Sequence, residues 1–153
     1  MVFLVRHGEK ADLSDNPELS AAGHERAAAL ARNLRNAEIE YVHSSDFTRT
    51  RDTAAPTANK YGLEVELYDA RQGLPTLVEK LRRTGGRHLG VGHSNTTPRL
   101  VELLGGKPNS VINEGELDRL YIVTIERDGA ASSVNDALWK SILSRAKLNH
   151  FTL

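Results

Sequence analysis

Residues 2–10, VFLVRHGEK, constrain the fold more than any other stretch of the chain. Val2, Phe3, Leu4 and Val5 run without a polar break, and Arg6, His7, Gly8 and Glu9 follow at once. In a strand, Val2 and Leu4 face one side of the sheet and Phe3 and Val5 the other. A strand that is apolar on both faces belongs inside a sheet covered on both sides, usually a parallel one. Ligands of open α/β sheets bind just beyond the carboxyl ends of such strands, which is where Arg6 and His7 fall. An Arg there reads as part of an anion site. Gly8 lets the backbone turn sharply or approach another group closely.

The remainder of the chain alternates between strand-like and helix-like runs. Residues 11–19 are polar and read as a loop or lid beside the first strand end. Ser20 is placed to cap a helix whose apolar stripe passes through Ala27, Leu30, Ala31 and Leu34, with His24 on its surface. Residues 39–43 read as a short strand followed by capping residues Ser44, Ser45 and Asp46. A second helix is expected over 47–61, stopped by Gly62, with Pro56 kinking it or shifting its start. Residues 63–68 alternate like a half-exposed strand near a sheet edge. A third helix over 74–83 turns Leu74, Leu77, Val78 and Leu81 inward and ends at Gly85. Residues 88–92 form another strand, and a fourth helix with Pro98 in its first turn runs to Gly105. Residues 120–125, LYIVTI, are the last clear core strand. Asp128 and Gly129 suit a hairpin turn, so 131–138 is expected to return as an edge strand. Residues 139–153 read as a short amphipathic helix or a tail. The alternation predicts an α/β fold: a single three-layer domain over 1–153, its mainly parallel central sheet flanked by helices.

Composition narrows the function. The chain of 153 residues balances 20 Lys and Arg against 20 Asp and Glu. Neither nucleic acid nor a membrane surface is therefore expected as the main partner. The absence of cysteine excludes disulfides, thiol catalysis and cysteine-based metal sites. No apolar run approaches the ~20 residues of a membrane span. The first strand begins almost at Met1, which reads as a cytoplasmic protein.

Three strand ends carry chemistry. The first supplies Arg6 and His7, the second leads through Ser44 and Ser45 to Arg49, and the fourth supplies His93 directly before a helix start. Right-handed crossovers put these ends on one edge of the sheet. Two Arg, two His and a helix N-terminus suit a phosphate group. A phosphate or sulfate ion is expected to occupy such a pocket. Arg51, two residues beyond Arg49, reads as a surface ion pair. Ser94 and Asn95 read as helix caps, and His43 and His88 as structural histidines.

These segments resemble the histidine phosphatase superfamily, the phosphoglycerate-mutase-like group. Arg6-His7-Gly8 is similar to its N-terminal motif. Leu19-Ser20-Ala21-Ala22-Gly23 is similar to the L-[ST]-x-x-G that opens the next helix. Ser44-Ser45-Asp46-Phe47-Thr48-Arg49 with Thr53-Ala54 resembles the S-x-x-x-R-x-x-x-T-A segment, and Gly92-His93 the second histidine motif. The matches keep the family's order, and the length is that of the small bacterial phosphohistidine phosphatases. The resemblance implies a metal-independent phosphatase with no cofactor, acting on a phosphorylated small molecule or a phosphohistidine protein. It implies His7 as the nucleophile that becomes phosphohistidine, with Arg6, Arg49 and His93 holding the phosphoryl oxygens. Alternatives of other classes are a phosphoglycerate-type mutase and a non-catalytic phospho-ligand binding module.

The proton donor for the leaving oxygen has no clear match. Glu9 is close to His7 in sequence, and Asp69 follows a strand. Glu114, Glu116 and Asp118 lie in a loop that can fold over the pocket. Lys10, Arg71 and Arg99 are available as additional cations.

Overall fold

The first strand, β1 (Val2–Arg6), is fully buried and hydrogen-bonded on both sides. A computed structural model describes residues 1–126 and the backbone of 131–135. β1 runs parallel to β4 (His88–Gly92) and antiparallel to β5 (Leu120–Ile125). With β2 (Tyr41–Ser45), β3 (Val65–Tyr68) and β6 (Ala131–Asn135) it makes a six-stranded sheet of order β3-β2-β4-β1-β5-β6. The four strands β3, β2, β4 and β1 are parallel, and β5 and β6 extend the sheet antiparallel.

The apolar run on each side of β1 feeds a separate core. Phe3 and Val5 pack with Ala29, Leu30 and Leu34 at α1 (Ala21–Asn33) and with Ala54 and Ala58 of α2 (Thr48–Tyr61). Val2 and Leu4 pack with Leu74, Leu77, Val78 and Leu81 of α3 (Leu74–Thr84) and Leu100 and Val101 of α4 (Thr96–Leu103). The expected three-layer α/β arrangement is the one observed. Ser20 caps α1 through its hydroxyl, which accepts from the Gly23 N–H. Gly62 ends α2 in the left-handed region at φ 65°, where a Cβ is strained.

Several details differ from expectation, among them the start of β3 at Val65 and the end of α4 at Leu103. β2 starts and ends two residues later than its apolar content suggests, because Ser44 and Ser45 are fully buried strand residues. Their hydroxyls are satisfied inside the fold: Ser44 Oγ donates to the Ser45 carbonyl and Ser45 Oγ to Thr50 Oγ1. α2 runs through Pro56 without a shift of its start, which stays at Thr48. Asn95 stands at the N-cap of α4 without a side-chain cap bond; the hydroxyl of Thr96 accepts from the His93 N–H instead. The expected edge strand is described as β6 over Ala131–Asn135, and the turn at Asp128 and residues 136–153 lie outside the described residues.

Two glycines set the entrance to the site. A Cβ on Gly23 would sit 2.4 Å from the Glu9 carbonyl oxygen, and one on Gly8 3.0 Å from the Gly23 carbonyl oxygen. The first turn of α1 therefore lies directly against the loop after β1. The Thr53 hydroxyl accepts from the Gly8 N–H at 3.0 Å and donates to the Arg49 carbonyl at 2.7 Å, tying that loop to α2.

Candidate active site

His7 leaves the end of β1 with its N–H donated to the Gly92 carbonyl, 2.9 Å away on β4. Its Nδ1 lies 2.7 Å from the Gly8 carbonyl, which can only accept. Nδ1 therefore carries the proton, and in the neutral ring Nε2 keeps its lone pair. Burial lowers the pKa of His7 to about 4, and the charges of Arg6, Arg49 and Lys10 push the same way against the Gly8 bond. The ring is thus neutral at physiological pH.

His93 follows β4, its ring centroid 5.6 Å from that of His7. Its Nδ1 faces Arg49 Nη2 at 3.5 Å and its Nε2 lies 2.8 Å from Ser45 Oγ. A guanidinium only donates, so Nδ1 accepts and Nε2–H points at Ser45. The Ser45 hydroxyl donates to Thr50, and Thr50 donates to the carbonyls of Ser45 and Phe47. This relay from β2 and α2 fixes the imidazole. Burial, then Arg49, His7 and Arg6, lower the pKa of His93 to about 4.

The two guanidinium groups are held differently. Arg6 Nη1 donates to three backbone carbonyls, Asn113 at 3.2 Å, Glu114 at 3.0 Å and Glu116 at 3.1 Å. Arg49, in the first turn of α2, lies 4.8 Å above the Phe47 ring, whose edge packs against His93. Arg6 Nε and Arg49 Nε and Nη1 are buried and find no hydrogen-bond partner among the described residues. Buried charged donors without partners are costly. Both side chains line the same cavity of about 320 Å³ as His7 and His93. An anion in the cavity faces both guanidinium groups.

The sheet rim brings together Arg6, His7, Arg49 and His93 from distant parts of the chain. The carboxylates behave otherwise. Glu9 is held by a two-pronged pair with Arg26, 2.6–3.0 Å, which keeps it ionised well below the usual carboxylate range. Asp69 is exposed and accepts from the N–H groups of Arg71 and Gln72, closing the turn before α3. Glu116 is paired with Arg119. Of the five carboxylates considered, Glu114 alone lines the cavity with the two histidines, 3.8 Å from Lys10 Nζ. Arg71, Ser94 and Asn95 also line it, whereas Arg99 pairs with Glu102 and Arg51 with Asp46 on the surface. Sequence reasoning gave no role to Ser45 as partner of His93 or to Thr53 as the tie on Gly8. Both stand in the motif of the second helix, which was the available signal. The carbonyls that hold Arg6 leave no sequence signal, since any residue supplies one.

Among the described residues no group of three or more His, Asp or Glu side chains is placed to hold a metal ion, and no helix is long and apolar enough to cross a membrane. The family model for the histidine phosphatase superfamily (branch 1) matches residues 2–74. Over that stretch, just under half of the chain, the sequence is similar to the histidine phosphatase superfamily. An uncharacterized protein of Mycobacterium tuberculosis is 35% identical over 102 residues, 60% of this chain and 46% of its own. A probable phosphoglycerate mutase, GpmB of Yersinia enterocolitica, is 39% identical over 72 residues, 42% of this chain and 33% of its own. The matched regions thus span less than half the length of either relative. Among solved structures, the protein histidine phosphatase SixA complexed with tungstate superposes with a TM-score of 0.72 at 20% identity, covering 87% of this chain and 93% of that one. At that identity the likeness concerns the fold.

Proposed function

We propose that the chain is a metal-independent phosphatase that hydrolyses phosphomonoesters or protein phosphohistidine through a phosphohistidine intermediate on His7. The observation that carries this reading is the set of unpartnered guanidinium donors on Arg6 and Arg49, buried beside two neutral imidazoles. Arg6 and Arg49 take the phosphoryl oxygens, whose charge is met by fixed donors as it redistributes, and His93 joins them by taking up a proton on Nδ1 as the anion binds. The lone pair on His7 Nε2 attacks phosphorus; the P–N bond forms as the bond to the leaving oxygen or nitrogen breaks. Gly8 keeps the proton on Nδ1, so the attacking nitrogen needs no deprotonation. Water then attacks the phosphohistidine, the P–N bond breaks, orthophosphate leaves, and His7 returns to its starting state. Two displacements replace one difficult hydrolysis.

Of the carboxylates considered, Glu114 is the candidate proton donor to a leaving alkoxide by its place on the cavity wall, where it also faces Lys10 at 3.8 Å. Glu9, fixed as an anion by Arg26, is unsuited to that task. A phosphate ion as product, and tungstate as bound by SixA, fit the same donors.

Rapid quenching with labelled phosphoester and phosphohistidine protein tests the reading. An acid-labile, alkali-stable phosphoenzyme is expected in the wild type and is absent from His7→Ala, with turnover reduced at least 10³-fold. Full activity of His7→Ala would falsify it. A phosphoglycerate-type mutase is the second reading, favoured by the likeness to GpmB. It is identified in the same assay by phosphoryl exchange between positions of one substrate. Binding without turnover identifies a phospho-ligand module.

A further inference from the structure

The irregular segment between α4 and β5 receives Arg6 Nη1 on three backbone carbonyls, and the charges of its Glu114 and Glu116 act on the same guanidinium. Carbonyls hold a side chain only as well as their own backbone is held. Ile112 anchors the segment in the core by burial, while its neighbour Val111 is largely exposed. The polar anchor is Arg119, itself buried. Its Nε and Nη2 fork onto both oxygens of Glu116 at 2.8 and 2.7 Å. Nη1 donates to the Ser110 carbonyl at 2.6 Å and to the Tyr121 hydroxyl at 2.9 Å. Nη2 reaches Ser110 Oγ at 3.1 Å and the Val111 carbonyl at 3.3 Å. Tyr121, fully buried on β5, donates onward to the Pro108 carbonyl. One guanidinium therefore joins the start of the strap, its far end at Glu116 and the sheet beneath.

Of the three carbonyls that receive Arg6 Nη1, those of Asn113 and Glu114 lie between the two ends and that of Glu116 at the far end. The Asn113 carbonyl also accepts from the Glu116 N–H at 3.0 Å, so the turn closes on itself. With Nη1 fixed there, Arg6 Nε is left buried and unpartnered beside the cavity. A free Arg side chain loses rotamer entropy when it is ordered, and fixing it before the ligand arrives removes that cost from binding.

We infer that Arg119 is a positioning residue for anion binding: by locking the strap over residues 110–116 it aims the Arg6 guanidinium into the cavity. The inference rests on the reading of Arg6 as an oxyanion ligand. Lysine in place of Arg119 cannot reproduce it, because three donors from one nitrogen cannot fork onto Glu116 and still reach Ser110, Val111 and Tyr121.

A double-mutant cycle tests the assignment, with orthophosphate binding read by calorimetry and folding by thermal melting. Arg119→Met is expected to weaken orthophosphate binding about tenfold when Arg6 is present. On an Arg6→Ala background it is expected to weaken binding no further, while its effect on the melting temperature is the same on both backgrounds. Arg119→Lys should behave like Arg119→Met rather than rescue binding. Should Arg119→Met fail to fold, Glu116→Gln cuts the fork but keeps the Glu116 carbonyl, and is expected to show the same dependence on Arg6 at two- to fivefold, an order-of-magnitude range. Equal weakening with and without Arg6, or unchanged binding in a folded variant, overturns the inference while the phosphatase reading stands. A wild type that neither binds orthophosphate nor turns over phosphoesters removes both.

Discussion

Burial penalises an imidazolium far more than an imidazole, and the two site histidines sit where that penalty is joined by two guanidinium charges. Each is lowered to about 4. A phosphate dianion reverses the second contribution, because it faces both rings with negative charge. Nuclear magnetic resonance titration of the histidine side chains is therefore expected to give midpoints for His7 and His93 well below 6.5 in phosphate-free protein. Saturating orthophosphate should move at least one of them upward, so that binding near pH 6 takes up a proton. Midpoints near 6.5 in the free protein would show that burial is not what keeps the nucleophile neutral. At this scale the sequence named the four residues that meet, since Arg and His at strand ends carry an unmistakable charge pattern. It could not rank the acids. Glu9 and Asp69 were plausible by proximity, and only coordinates reveal that one is engaged by Arg26 and the other by its own turn.

Secondary-structure elements meet at this site through missing side chains as much as through present ones. The loop carrying His7 touches α1 across Gly8 and Gly23, and the sequence motif containing each glycine reads as a turn signal when taken alone. Its meaning is contact between backbones, a long-range fact invisible to local patterning. Gly23→Ala puts a methyl group 2.4 Å from the Glu9 carbonyl oxygen, and that atom belongs to backbone that also accepts from the Ser20 N–H. Neither side can yield by rotating a side chain. The expected cost is about 1–3 kcal/mol of stability, read from urea unfolding, together with weaker orthophosphate binding as the His7 loop moves. Wild-type stability and binding in Gly23→Ala would mean the loop is not tensioned by α1. The same lesson applies to β2. Its end at Ser45 looked like a helix-capping stretch because buried serines are uncommon, yet the Thr50 and His93 partners that justify them lie five and forty-eight residues away.

Across the whole molecule, periodicity was a reliable guide wherever burial is two-sided or the helical stripe is strong. β1, β4, α3 and β5 fall where the apolar pattern puts them. What pattern alone leaves open is the polar interior, and the clearest case lies under α3, remote from the cavity. His43 and His88 are both buried, with His43 Nε2 2.9 Å from His88 Nδ1 and Tyr41 stacked on the His88 ring. Glu66 approaches His43 at 3.5 Å and is itself paired with Lys80 of α3. Burial first, then His88, lowers the pKa of His43 to about 4, with Glu66 opposing and Lys80 adding; burial also lowers His88. The sign of the effect on folding follows. Above about pH 6.5 neither the folded nor the unfolded chain protonates His43, and stability is at its full value. As pH falls from there toward 4, the unfolded chain takes a proton that the folded one refuses. Each pH unit in that window then removes up to about 1.4 kcal/mol for this one group. His7 and His93 act in the same direction, so urea unfolding in phosphate-free buffer should show a clear loss of stability between pH 7 and pH 5. His43→Asn keeps an amide beside His88 but cannot titrate, and its stability should fall less steeply over the same interval. Parallel slopes for the variant and the wild type would place the acid sensitivity elsewhere in the fold.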